Sequence, residues 1–90
     1  MPLVTTKEIL LDAQKNKYAI GAFNVENMEM VMAVVAAAEE LKSPVIMQTT
    51  PSTVKYASLE YFYANAKVAA QNASVPVAIH LDHGKVLHLL

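Results

Sequence analysis

Val75-Pro76-Val77-Ala78-Ile79-His80-Leu81-Asp82-His83-Gly84 is a short apolar run that ends abruptly in an acid, an imidazole and a glycine. A run of this length, opened by proline and closed by glycine, reads as a buried strand. A strand with such an ending sets titratable groups at the rim of a core. In parallel α/β folds, ligands and active sites gather beyond the carboxyl ends of the strands. The remainder of the chain reads as scaffold leading to this point.

Working back from it, Ser58 is expected to cap a helix whose inner face carries Leu59, Phe62, Ala66, Ala69, Ala70 and Ala73. Before that helix, Pro51-Ser52-Thr53 reads as a loop. Pro44-Val45-Ile46-Met47-Gln48-Thr49-Thr50 reads as a second strand, β-branched and polar at its end. Ser43-Pro44 stops the preceding helix, because proline disfavours helix in the residue before it. That helix starts at an Asn27 cap, and Met28, Val31, Val34, Val35, Ala38 and Leu41 recur at helical spacing. Glu39, Glu40 and Lys42 mark its wet end.

Tyr18 to Val25 is expected to be the first strand, with Gly21 where something packs close and Asn24 at the carboxyl end. Thr5-Thr6-Lys7-Glu8 has the form of a capping box, and Ile9, Leu10 and Ala13 continue a helix through about Lys15. Asn16-Lys17 closes it. The predicted fold class is therefore α/β, a helix followed by βαβαβ. That alternation implies a parallel sheet with right-handed crossovers. Three strands leave two unpaired edges, so the chain reads as part of a larger sheet.

Composition narrows the function classes. The chain of 90 residues has 54% hydrophobic and 17% charged residues, rich in apolar side chains for a small independent domain. A formal net charge of -1 gives no pull toward nucleic acid or an anionic membrane. With no cysteine there is no disulfide framework and no thiolate metal site. The first residues lack the basic and apolar regions of a signal peptide. A cytoplasmic protein is expected. Only Gly21 and Gly84 occur, which removes both the Gly-x-Gly-x-x-Gly and the P-loop patterns.

Asp82 and His83 side by side suit proton transfer beside a metal. The plainer reading, a polar turn with Asp82 capping a following helix, carries even weight on spacing alone. His80, inside the apolar run, reads as a buried core histidine, and His88 in the apolar tail reads the same way. Asn24 and Thr50 end the two earlier strands and should share a rim with Asp82, although polar residues at strand ends are also ordinary helix caps. Met28, Met30, Met32 and Met47 read as core filler.

In order, Met1 to Leu10, Tyr18 to Val25, Lys42 to Met47 and Val75 to Gly84 together resemble the class II, zinc-dependent ketose-bisphosphate aldolases. The resemblance runs from residue 1 to about 84. It implies the first part of a (β/α)8 TIM barrel, a fold of ~250 residues. It implies that Asp82 is the acid/base acting on a substrate hydroxyl and that His83 is one of three histidine ligands to zinc. Asn24 and Thr50 would line the substrate side of the rim.

The implied cofactor is zinc, with a second metal or a monovalent cation as an optional companion. The implied partner is a sugar bisphosphate, with homo-oligomers when full length. The products would be dihydroxyacetone phosphate and an aldehyde phosphate. Thr50-Pro51-Ser52-Thr53 looks closer to the tagatose type. The stretches around Gly21 and Lys42 look at least as close to the fructose type, which is the reading adopted.

Lys85-Val86-Leu87-His88-Leu89-Leu90 departs from the family pattern, which opens a helix there with hydroxyl residues. A reading-frame shift is the expected origin of this tail. Residues 1–90 are thus expected to be an N-terminal fragment of one barrel domain, with 85–90 an atypical tail and no turnover by the chain alone. The competing expectation is a non-catalytic α/β fragment or association module.

Overall fold

The computed structural model describes residues 3–50, 55 and 58–81. Helix α1, Thr6–Asn16, opens with the expected capping box. Thr5 Oγ1 accepts the Glu8 N–H at 3.1 Å, and Glu8 Oε1 accepts the Thr5 N–H at 3.4 Å. The helix ends at Lys17, whose φ of 60° is left-handed. The N–H groups of Lys17 and Tyr18 both donate to the Ala13 carbonyl.

Strand β1 is Ala22–Asn24, shorter than the expected Tyr18 to Val25. The chain before it is committed elsewhere, with Tyr18 closing α1 through its N–H. Hydrogen bonding to the next strand still extends one residue each way, from Ile46 N–H to Gly21 O and from Val25 N–H to Gln48 O, both at 3.0 Å.

Helix α2, Met28–Glu40, is capped by Asn27, whose Oδ1 accepts the Met30 N–H at 2.9 Å. It buries Val31, Val35 and Ala38. Its end is made by Lys42 at φ 52°, with Ser43 N–H reaching back to Ala38 O at 2.9 Å. Strand β2 is Val45–Thr49. Helix α3, Leu59–Asn72, is capped by Ser58 and buries Phe62, Ala66 and Ala70. Strand β3 is Val77–Leu81. The expected loop at Pro51-Ser52-Thr53 lies outside the described residues.

The sheet has the order β1-β2-β3, all parallel. Side chains alternate between its two faces. Val25, Val45, Met47 and Val77 turn to one face and join α2 and α3 in the main core. Ala66 and Ala70 are fully buried there, and such small side chains let α3 lie close to the strands. Ile46 and Ala78 turn to the opposite face, where Ile9 of α1 packs on them. Val4 N–H donates to Val77 O at 2.9 Å and pins α1 to the start of β3. Helix α1 therefore covers the amino end of that second face, and among the described residues its carboxyl end is open.

Two sequence expectations need correction. Met47 is fully buried, but Met28, Met30 and Met32 are exposed; Met30 and Met32 fall off the Val31, Val35 and Ala38 stripe. Leu41, placed on the apolar face by its spacing, is 76% exposed because α2 has ended before it. Among the described residues, no helix is long and apolar enough to cross a membrane.

Candidate active-site rim

Register brings three polar side chains into one row. Asn24 stands opposite Gln48, and Gln48 stands opposite His80. Registered partners on neighbouring parallel strands point to the same face. That face is the one carrying Ile46 and Ala78, because each row residue lies two positions after Ala22, Ile46 or Ala78. The apolar pair sits under α1, and the polar row sits above it, at the open carboxyl end.

Within the row, Gln48 Nε2 donates to Asn24 Oδ1 at 2.9 Å. Asn24 is exposed, and its Nδ2 takes no partner among the described residues. His80 is exposed as well, which corrects its reading as a buried core histidine. Its apolar neighbours Val77 and Ile79 face the helices, and alternation turns His80 away from them onto the open face. The imidazole belongs to the rim.

Thr50 follows β2 directly and is half-buried. By alternation it falls on the same side as Gln48. Thr49, between them, is fully buried on the helix side, and its hydroxyl oxygen has no hydrogen-bond partner among the described residues. Asp82, His83 and His88 lie outside the described residues. In sequence Asp82 follows Leu81, the last residue of β3. Among the described residues no three acids or histidines come together to hold a metal.

Gln48 is the residue that sequence reading missed. The last polar residue of each strand is the usual mark of a rim, and Gln48 lies two positions before Thr50. A signal was present. Asn24, Gln48 and His80 are each the first polar residue after an apolar run, and the register aligns these three positions.

Among the described residues, the one displaced titration lies at the opposite end of the sheet. Tyr18 donates its hydroxyl to Asp12 Oδ2, and Asn16 Nδ2 donates to Asp12 Oδ1 at 3.0 Å. The hydrogen bond to Asp12 pushes the Tyr18 phenol above its ordinary range, with desolvation and the carboxylate charge adding to it. This cluster braces α1 and takes no part in the rim.

A parallel α/β sheet with two crossover helices on one face and a polar row at the carboxyl end of the other has the layout of strands in a parallel-barrel enzyme. A family model described as "Fructose-bisphosphate aldolase class-II" matches residues 4–90. A fructose-bisphosphate aldolase of Giardia intestinalis (strain ATCC 50803 / WB clone C6) is 42% identical over 88 residues, covering 97% of this chain and 27% of the relative. The crystal structure of the YdjI aldolase from Escherichia coli K12 superposes with a TM-score of 0.87 at 42% identity, covering 97% of this chain and 34% of that one. A candidate fructose-1,6-biphosphate aldolase from Coccidioides immitis gives a TM-score of 0.84 at 32% identity, over 93% and 31% of the two chains.

The chain belongs to the class II fructose-bisphosphate aldolase family. Its helix and βαβαβ order is that of the first part of a TIM barrel. It spans about a third or less of the length of these relatives.

Proposed function

We propose that this chain supplies the first three strands of a barrel enzyme that reversibly cleaves fructose 1,6-bisphosphate to dihydroxyacetone phosphate and glyceraldehyde 3-phosphate. The observation that carries the reading is the polar row Asn24, Gln48 and His80 on the open carboxyl rim of a chain of this family. Tagatose bisphosphate is the alternative substrate, on the strength of Thr50-Pro51-Ser52-Thr53.

In this reading Asp82 takes the proton of the substrate hydroxyl as the neighbouring carbon–carbon bond breaks, and the bonding electrons move toward the ketose carbonyl. The same carboxyl returns the proton in the condensation direction. Asn24 and Thr50 orient the substrate on the rim. The donor chemistry here fits zinc, since an imidazole one residue from a carboxylate, beyond the end of a strand, is a ligand type this ion takes. His83 would hold it as one of three histidines. Zinc, when bound, supplies a Lewis acid for the carbonyl oxygen. The enzyme would work in the cytoplasm and as a homo-oligomer when full length. Residues 1–90 would form one portion of a single barrel domain, with 85–90 an atypical tail and no turnover on their own.

The test places residues 4–84 in the Giardia aldolase in exchange for its matching segment and assays both ketose bisphosphates. Expected is chelator-sensitive cleavage that prefers the fructose substrate and is lost in Asp82→Asn and in His83→Ala. A folded chimera whose cleavage survives both substitutions overturns the reading. A preference for the tagatose substrate selects the alternative.

A further inference from the structure

Gln48 and Asn24 are 24 positions apart in sequence, yet they form a direct side-chain hydrogen bond across β1 and β2. The bond has a polarity. Gln48 gives its amide N–H, and Asn24 receives it on Oδ1 at 2.9 Å. A carboxamide has one acceptor end and one donor end. With Oδ1 of Asn24 turned to Gln48 and engaged by it, the Nδ2 group is the end of the amide left unbonded among the described residues. Asn24 is exposed, so that Nδ2 group faces the open side. Gln48 is half-buried, on a strand paired on both sides, and its backbone is fixed by the register with Ala78 to Leu81 and Ala22 to Asn24. Asn24 closes a three-residue edge strand and has no such support. The firmer residue therefore sets the orientation of the looser one.

We propose that Gln48 is a positioning residue: it locks the Asn24 carboxamide with its N–H groups turned to the rim, and so makes Asn24 a hydrogen-bond donor to an oxyanion of the substrate. The substrate half of this statement rests on the proposed aldolase reading, and the orientation half does not. Donors aimed at oxygen suit a sugar phosphate, whose exposed atoms are hydroxyl and anionic oxygens. A carboxamide turned the other way would repel them.

The experiment compares Gln48→Glu with Gln48→Lys in the full chain. Glutamate at 48 can only accept, so it captures an Asn24 N–H and turns the amide over. Lysine can only donate, so it preserves the native orientation. Two-dimensional NMR of the side-chain amides reads this directly. In the native chain a Gln48 Nε2 proton contacts the Asn24 carboxamide, and both Asn24 Nδ2 protons exchange fast. In Gln48→Glu one Asn24 proton should shift downfield and exchange several-fold more slowly. In Gln48→Lys it should not.

Titration of the Giardia chimera carrying residues 4–84, native and with each Gln48 substitution, with dihydroxyacetone phosphate then reads the consequence. Binding should weaken about tenfold in Gln48→Glu and stay within about threefold of native in Gln48→Lys, the difference being that of one hydrogen bond. Absence of the Gln48–Asn24 contact in the native chain, or identical Asn24 amide behaviour in the two variants, overturns the positioning role. If the amide turns over as expected and dihydroxyacetone phosphate binds the chimera and both its variants equally, the positioning role stands, and it is the substrate reading of Asn24 that fails.

Discussion

The carboxylate of Glu39 accepts the backbone N–H of Ser74 at 2.9 Å. The two residues are 35 positions apart, and the bond ties the last turns of α2 to the turn that launches β3. Glu39 was expected only to mark a solvated helix end; it is half-buried and holds the entry of the strand that leads to Asp82. Glu39→Ala should cost about 1 kcal/mol, the net worth of one such bond. Glu39→Gln, which keeps an acceptor but loses the charge, should cost less. Urea midpoints for the two variants check this, and equal midpoints would mean the bond contributes nothing.

Two lysines occupy backbone conformations that suit glycine. Lys17 and Lys42 have φ of 60° and 52°, each just past the end of a helix. Both positions form the reverse turn that commonly closes helices, and a side chain there carries a steric cost. Lys42→Gly should raise stability by about 0.5 kcal/mol, since the left-handed strain relieved exceeds the entropy that glycine adds to the unfolded chain. Thermal melting of the variant checks the sign.

Ser58 pairs a cap with an unusual backbone. Its φ is 143°, and its hydroxyl accepts the Tyr61 N–H at 3.2 Å. Ser58→Ala loses the acceptor and keeps the strain, so it should cost about 1 kcal/mol. Ser58→Gly loses the same acceptor but suits the backbone, and should fall within a few tenths of native. Denaturation of the pair separates cap from strain.

The buried hydroxyl of Thr49 has no partner among the described residues. Replacing it with a methyl removes an unsatisfied polar atom at nearly constant shape. Thr49→Val should therefore be neutral or more stable by about 1 kcal/mol, whereas Thr49→Ser, which deletes the methyl and keeps the hydroxyl, should be less stable by a similar amount. The order of melting temperatures, valine above native above serine, is the observation to make.

Tyr18 makes stability fall at alkaline pH. Its phenol is held above the ordinary value of 10.0, first by the hydrogen bond to Asp12. The folded chain keeps this proton at a pH where the unfolded chain releases it. The contribution is complete below the unfolded value and disappears as pH rises from there through the folded one. Tyrosinate absorbance should show one tyrosine titrating late. Asp12→Asn should bring that titration down, and Tyr18→Phe should flatten the alkaline loss of stability.

Helix caps and strand order were legible because they depend on local chemistry. The Thr5–Glu8 box, the Asn27 cap and the Ser58 cap each need only residues within one turn. Gly21 was read as a point of close packing, and a Cβ there would lie 2.5 Å from Cε2 of the Phe23 ring. The end of α1 at Asn16-Lys17 was legible as well, although nothing in composition marks Lys17 or Lys42 as left-handed. The rim was half legible. Asn24 could be placed at a strand end, but its bond to Gln48 depends on register, which no single strand reveals. His80 was misjudged because an apolar neighbourhood in sequence is split by alternation into two different faces.

Helix α1 completes its own hydrogen bonds within residues 5 to 18, but the surface it rests on is built from Ile46 and Ala78. During synthesis the helix can form early, but the surface it docks on is complete only when β3 has left the ribosome. Its closure spans more than sixty residues of chain and is entropically the most expensive contact in this portion. Helix α1 is thus made before the strands it packs on and is among the last of these elements to be seated, and its apolar stripe stays available to chaperones until the strand leading to Asp82 has been laid down.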